Sequence, residues 1–182
     1  MTEADVQRIE HELNITLPAS YRKVMVSFPI PAFAGNDTTE LWDSADKLIE
    51  LNRELRCGSS GGMEPWPDRY FSLGRDHGGD CHALDLADPE AGVRWADRGH
   101  LDAAEPAPPF ADWVATTLED MRIYLEEHGV DPRTGTPADL ERAEAELANE
   151  HAKAGCTLLL ILIAAGAGAA LAALALIAWL NR

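Results

Sequence analysis

The sequence predicts an α+β domain, an antiparallel sheet meander flanked by N-terminal and C-terminal helices, joined to a single C-terminal transmembrane helix. Three observations predict it. Apolar residues recur at helical spacing between Val6 and Leu55. The pattern turns strand-like, with glycine-bearing turns, between Tyr70 and Ala96. No charged residue occurs from Ala154 to Asn181.

Thr2 caps a first helix, with Asp5 placed three positions on as in a capping box, and Val6, Ile9 and Leu13 share one face. Pro18 suits the first turn of a second helix whose inward stripe is Tyr21, Val24, Met25 and Phe28. Pro29 and Pro31 end it. Asp43 or Ser44 caps a third helix carrying Leu48, Leu51 and Leu55. After an irregular Gly/Ser-rich stretch, Tyr70–Leu73, Cys81–Leu86 and Val93–Ala96 read as three strands joined by the turns Arg75–Asp80 and Asp88–Gly92. Trp95 on a strand and Trp113 on a helix are expected in the core. A Pro/Ala hinge, Ala103–Pro109, precedes a helix from Phe110 to Leu125 with Phe110, Trp113, Val114 and Met121 inward. Val130–Thr136 reads as a polar linker, and Thr136 with Asp139 opens a last, thinly apolar helix expected to form an exposed stalk.

Cys156–Leu180 is 25 residues of mostly Leu, Ile, Ala and Gly. As a helix it spans roughly 37 Å, against a hydrocarbon core of about 30 Å. The competing reading, a helix buried in a soluble oligomer, needs a far larger protein around it, because every face is apolar. Trp179 sits where an interfacial ring belongs, and Lys153 and Arg182 flank the span. Small residues at four-residue spacing (Ala164/Gly168, Gly166/Ala170) would let two such helices pair as a homodimer.

Residues 1–150 hold 13 basic and all 31 acidic side chains, a formal net charge of −18. Such a surface repels nucleic acid and anionic lipid and attracts basic partners. It serves equally as a solvated coat that keeps the domain soluble. Met1–Asp5 shows no basic-then-apolar run, so the expected placement is a single-pass protein of a bacterial inner membrane with its N-terminal domain cytoplasmic. Cys57, Cys81 and Cys156 are odd in number and widely spaced, which suits a reducing compartment rather than a disulfide framework.

The order of Ile9-Glu10 and Leu13, Leu17-Pro18 with Tyr21-Arg22, Phe71-Ser72-Leu73-Gly74-Arg75-Asp76, Gly78-Gly79-Asp80, Leu84-Asp85 and Phe110-Ala111-Asp112-Trp113 resembles the SUKH superfamily, whose best-known branch is the Smi/Knr type of cell-wall assembly regulator. The resemblance covers about residues 3–125. It departs at Ser27-Phe28-Pro29-Ile30-Pro31, where the family usually has an Asn-Gly type turn. It implies a domain over 1–128, leaving 129–154 as linker and juxtamembrane helix and 155–180 as the transmembrane helix. In bacteria the resemblance implies an immunity protein that neutralises a toxin by binding it. Gly74, Gly78 and Gly79 would supply positive φ to a tight hairpin, and Asp76 and Asp80 would bond its amides.

Asp76-His77-Gly78-Gly79-Asp80-Cys81-His82 gathers two carboxylates, two imidazoles and a thiol, the residue types of a metal or hydrolase site. No second cluster completes a ligand set, and a Cys–His pair adjacent in an extended strand points apart. Turn chemistry is the stronger reading, and no metal, cofactor or catalytic residue is expected. Trp66, between two prolines, is either an exposed partner anchor or a ring folded onto the core. The expected partner-binding set is Trp66, Asp68, Arg75, Asp76 and Asp80. Three functions compete: a non-catalytic, membrane-anchored immunity module for a basic toxin domain; a membrane-tethered scaffold or regulator of cell-envelope assembly; and a hydrolase using Asp76, Asp80 and His82.

Overall fold

The computed structural model describes residues 1–58, 64–88, 92–101, 108–150 and 152. The chain divides into two compact units, Met1–Leu140 and Glu141–Arg182. The first contains α1 (Glu3–Leu13), α2 (Ala19–Val26), a 3₁₀ turn (Pro31–Phe33), α3 (Ala45–Cys57), β1 (Tyr70–Arg75), β2 (Cys81–Asp85), β3 (Val93–Ala96) and α4 (Phe110–Glu127). The α+β arrangement with a three-stranded antiparallel sheet follows the order expected from periodicity.

Local chemistry sets the helix ends. Thr2 Oγ1 accepts from the Asp5 amide at 3.2 Å while the Asp5 carboxylate accepts from the Thr2 amide at 2.9 Å, so two orphan donors are satisfied together. α1 closes on Asn14 in the left-handed region (φ 52°), whose amide returns to the carbonyls of Glu10 and His11. Val6, Ile9 and Leu13 are buried, and so are Tyr21 and Met25 of α2, whereas Val24 and Phe28 are half-buried. Arg22 binds Glu10 at 2.7 Å and also pairs with Glu3, which ties α2 to α1. Ser44 occupies the cap position of α3 but makes no side-chain cap bond. Asp43 instead accepts from the Gly35 amide at 3.0 Å and holds the N-terminal ammonium.

The strands lie in the order β1-β2-β3, with Phe71 opposite Leu84 and Leu84 opposite Val93. The register slips between Ser72 and Gly74, which leaves Leu73 as a bulge. Its carbonyl accepts from the Trp42 amide at 2.9 Å. Side-chain alternation divides the sheet into two covered faces. On one, Tyr21 meets Phe71 edge-on at 5.5 Å and Phe110 at 6.0 Å. On the other, Cys81, Ala83 and Ala96 join Leu51, Leu55 and Trp66.

Both outer strands are partly closed. At β1, the buried Asn52 side chain of α3 bonds both the amide and the carbonyl of Ser72, at 2.7 and 3.1 Å, taking the place of a fourth strand. At β3, the Val93 amide donates to Pro108 at 3.1 Å. Trp113 is buried as expected, but Trp95 is 47% exposed. A strand-like pattern identifies two faces without saying how far cover extends, and β3 is at the edge.

Beyond α4, Val130 and Leu140 are buried, and Gly135 approaches Val130 so closely that no Cβ fits. Thr136 and Asp139 form a second reciprocal capping box. In the second unit, residues 141–150 are helical and almost wholly exposed. The apolar stretch 156–180, and with it the expected transmembrane helix, lies outside the described residues. Among the described residues no helix is long and apolar enough to cross a membrane.

Candidate functional site

The β1–β2 turn is built by the residues that suggested chemistry. The Asp76 amide donates to the Asp80 carbonyl at 2.9 Å, and the Gly79 amide donates to the Asp76 carbonyl at 3.1 Å. Asp76 Oδ1 accepts from the Asp80 amide at 2.9 Å, and Asp80 Oδ1 accepts from the Arg98 amide at 2.9 Å. Both carboxylates therefore hold backbone. The second bond ties the hairpin to the turn 97–100, where Arg98 itself has φ 46°. Of the three hairpin glycines only Gly79 has positive φ, +92°. Gly74 is required for another reason: a Cβ there would lie 2.8 Å from both the Glu40 carbonyl oxygen and Trp42 Cδ1.

The neighbouring titratable groups are shaped by burial. The Cys81 thiol is pushed up by burial, with Arg75 opposing the shift. The His82 imidazole lies 5.2 Å from the Trp113 ring, and its Nδ1 is buried without a hydrogen-bond partner. Burial holds its pKa below the ordinary 6.5, against the opposite pull of Glu40, Asp76 and Asp80. Among the described residues no group of three or more His, Cys, Asp or Glu is placed to hold a metal ion.

Trp66 is the folded-down ring of the two readings. It is 4% exposed and its Nε1 donates to the Gly99 carbonyl at 2.6 Å. Through Gly99 and Arg98 it belongs to the same bonded chain as Asp80 and Asp76. Arg75 reaches Glu54 at 3.4 Å. Asp68 stands apart: its side chain is 92% exposed, and Arg56 Nε lies 3.8 Å away. Six residues of β1 separate Asp68 from Asp76, roughly 17 Å of strand. Of the five expected residues, Trp66, Asp76 and Asp80 are therefore linked, whereas Arg75 turns to Glu54 and Asp68 stands apart.

Two surface features were not visible in the sequence. The first is a groove of about 660 Å³ bordered by Trp66, Arg69, Tyr70, Arg94 and His100, with Glu64 at its rim. Both guanidinium groups lie over the Tyr70 ring, at 4.8 and 5.9 Å from its centroid. Arg69 also binds Asp85 at 2.9 Å. Arg94 and Tyr70 are 24 positions apart and meet only through the strand register, so no local pattern announces them. The second is the outer side of α4. There Glu119, Asp120, Glu126 and Glu127 are exposed within about one helical turn of Ile123, which is 46% exposed, and of Tyr124, which is 37% exposed and lies against Phe33 and His128. Regular 3.6-residue spacing marks the inward stripe of α4, but an isolated exposed isoleucine gives no signal.

No curated protein and no solved structure matches the chain at a significant level. Residues 1–116 do match a family of known sequence pattern, and that stretch takes in α1 to α3, the whole sheet and the start of α4. With that match over more than half of its length, the chain belongs to the SMI1 / KNR4 family (SUKH-1).

Proposed function

We propose that this protein is a non-catalytic, membrane-anchored immunity module that neutralises a basic bacterial toxin domain by binding it. Membership of the SUKH-1 family is the observation that carries the reading. The charge supports the choice of partner, since the chain carries a formal net charge of −16. Long-range attraction of that sign raises association rates with basic proteins. The outer side of α4 supplies a suitable surface: Glu119, Asp120, Glu126 and Glu127 flank the exposed Ile123 and Tyr124, a polar rim beside an apolar centre. Asp76 and Asp80 are engaged in holding turns, which favours binding over hydrolysis.

The uncharged stretch 154–181 supplies the anchor. It fixes the acidic domain at the cytoplasmic face of the inner membrane, where an incoming toxin would first be met. Co-expression with the product of an adjacent toxin gene tests the role. Protection of the cells and a co-purifying complex are expected, with an association rate that falls as salt rises. Charge reversal by Glu119→Lys and Asp120→Lys should slow association at least tenfold. Full toxicity despite normal levels of the protein, or a rate indifferent to salt, would overturn the reading. Recovery of cell-envelope machinery in place of a toxin would point to envelope regulation. The anchor is tested by fractionation: the intact chain should pellet with membranes, and recovery in the aqueous fraction without detergent would remove it.

A further inference from the structure

The groove bordered by Trp66, Tyr70 and Arg94 has a chemistry opposite to that of the whole chain. Arg8, Arg56, Arg75 and Arg94 each have a buried Nε with no hydrogen-bond acceptor. The first three place their other nitrogens against Asp46, the Leu13 carbonyl and Glu54, respectively. Arg94 has no carboxylate or carbonyl partner among the described residues; its only contact of note is the face of Tyr70 at 5.9 Å. In a chain with 31 acidic side chains, this half-buried guanidinium has no acidic partner among the described residues. It lies beside an open groove of about 660 Å³, within the size range of specific ligand sites.

We propose that this groove binds a carboxylate presented by an acidic segment of a protein partner. The planar fork of Arg94 accepts a monoanionic carboxylate in a paired geometry. Trp66, Tyr70 and Pro65 supply apolar walls for the flanking side chain or backbone. A dianionic phosphate fits less well. Arg69 is already neutralised by Asp85, Glu64 stands at the rim, and the net charge of the chain repels a second negative charge. The proposal rests on the binding-module reading for the occupant's being a protein, and it adds a point of register. Within a mostly basic partner, one buried carboxylate on Arg94 would set orientation where diffuse attraction cannot.

The test uses the full chain in lipid nanodiscs and no toxin. The side-chain N–H resonances of Arg94 and Trp66, assigned through Arg94→Lys and Trp66→Phe, are followed during titration with acetyl-Glu-Leu-Glu-amide. Acetyl-Gln-Leu-Gln-amide and inorganic phosphate are the comparison probes. Saturable movement of both resonances with the glutamate peptide alone is expected, and Arg94→Gln should weaken it about tenfold or more. Arg94→Lys, which keeps the charge but not the fork, should fall between. An unmoved Trp66 indole resonance in the free Arg94 variants verifies the fold. Equal response to the glutamine peptide, tighter binding of phosphate, unchanged affinity in Arg94→Gln, or no movement at millimolar peptide would each overturn the proposal. None of these outcomes bears on toxin capture, and failure of toxin capture would leave the peptide result standing.

Discussion

Asn52 offers a direct test of how the sheet is closed. The residue is 1% exposed, and its side chain makes three bonds: Nδ2 to the carbonyls of Leu48 (2.9 Å) and Ser72 (3.1 Å), and Oδ1 from the Ser72 amide (2.7 Å). The Leu48 carbonyl already belongs to the helix, so its loss matters little. Asn52→Ala leaves the amide and carbonyl of Ser72 buried on the β1 edge with no partner. Each such group costs about 1–3 kcal/mol, giving a combined loss of about 2–6 kcal/mol. Single domains of this size are stable by about 5–15 kcal/mol, so the change is a large share of the whole. With a urea slope of about 2 kcal/mol per molar, the midpoint should fall by about 1–3 M. The assay is urea unfolding of the full chain followed by tryptophan fluorescence, with the slope required to match the parent. Ser72→Ala is the control, because it removes the hydroxyl bonds to Gly74 (3.0 Å) and the Cys81 thiol and leaves both backbone bonds to Asn52 in place. It should lose about 1 kcal/mol. If Asn52→Ala lost no more than that control, the edge-closing role assigned to Asn52 would be wrong.

Trp66→Phe keeps most of the ring but leaves the buried Gly99 carbonyl without its donor. A loss of about 1–3 kcal/mol is expected, read as a lower thermal midpoint, and an unchanged midpoint would show the indole bond to be incidental. Gly74→Ala drives a methyl group into the Glu40 carbonyl and Trp42, at a cost of about 1–3 kcal/mol; neutral behaviour in the same unfolding assay would show that the loop yields easily. His82 predicts a pH slope. Its folded pKa lies below 6.5, so the unfolded chain takes the proton first. Its contribution to stability is full above pH 6.5 and is lost as pH falls from there through the lower folded value. His82→Gln should flatten that part of the profile, and parallel urea-midpoint curves for the two proteins between pH 7.5 and 5 would contradict the burial argument.

The main helices and strands and both capping boxes were legible in the sequence because their causes are local, whereas the cap expected of Asp43 or Ser44 on α3 is not made. The Thr2/Asp5 and Thr136/Asp139 boxes need residues only three apart, and the α4 stripe of Phe110, Trp113, Val114 and Met121 is a matter of helical period. The same locality misplaced what depends on cover. Trp66, in a proline-flanked loop, is buried, while Trp95, in a strand, is half open to solvent. Gly74 matched the family for a reason the sequence could not express, the approach of a loop more than thirty positions earlier. The candidate site divides in the same way. Asp76 and Asp80 were found by their place in a turn, and their duty as backbone acceptors follows from it.

From the sequence alone came the order of helices and strands, the family pattern, the negative charge and the long uncharged tail, each a property of neighbours along the chain. Tertiary structure alone decided that Asn52 closes a sheet edge, that Trp66 lies inside, and that Arg94 stands over Tyr70 with no carboxylate partner among the described residues. Those contacts join residues 20 to 33 positions apart through register and packing. The pattern of one segment records which of its faces is apolar, but not which distant group will be brought against it.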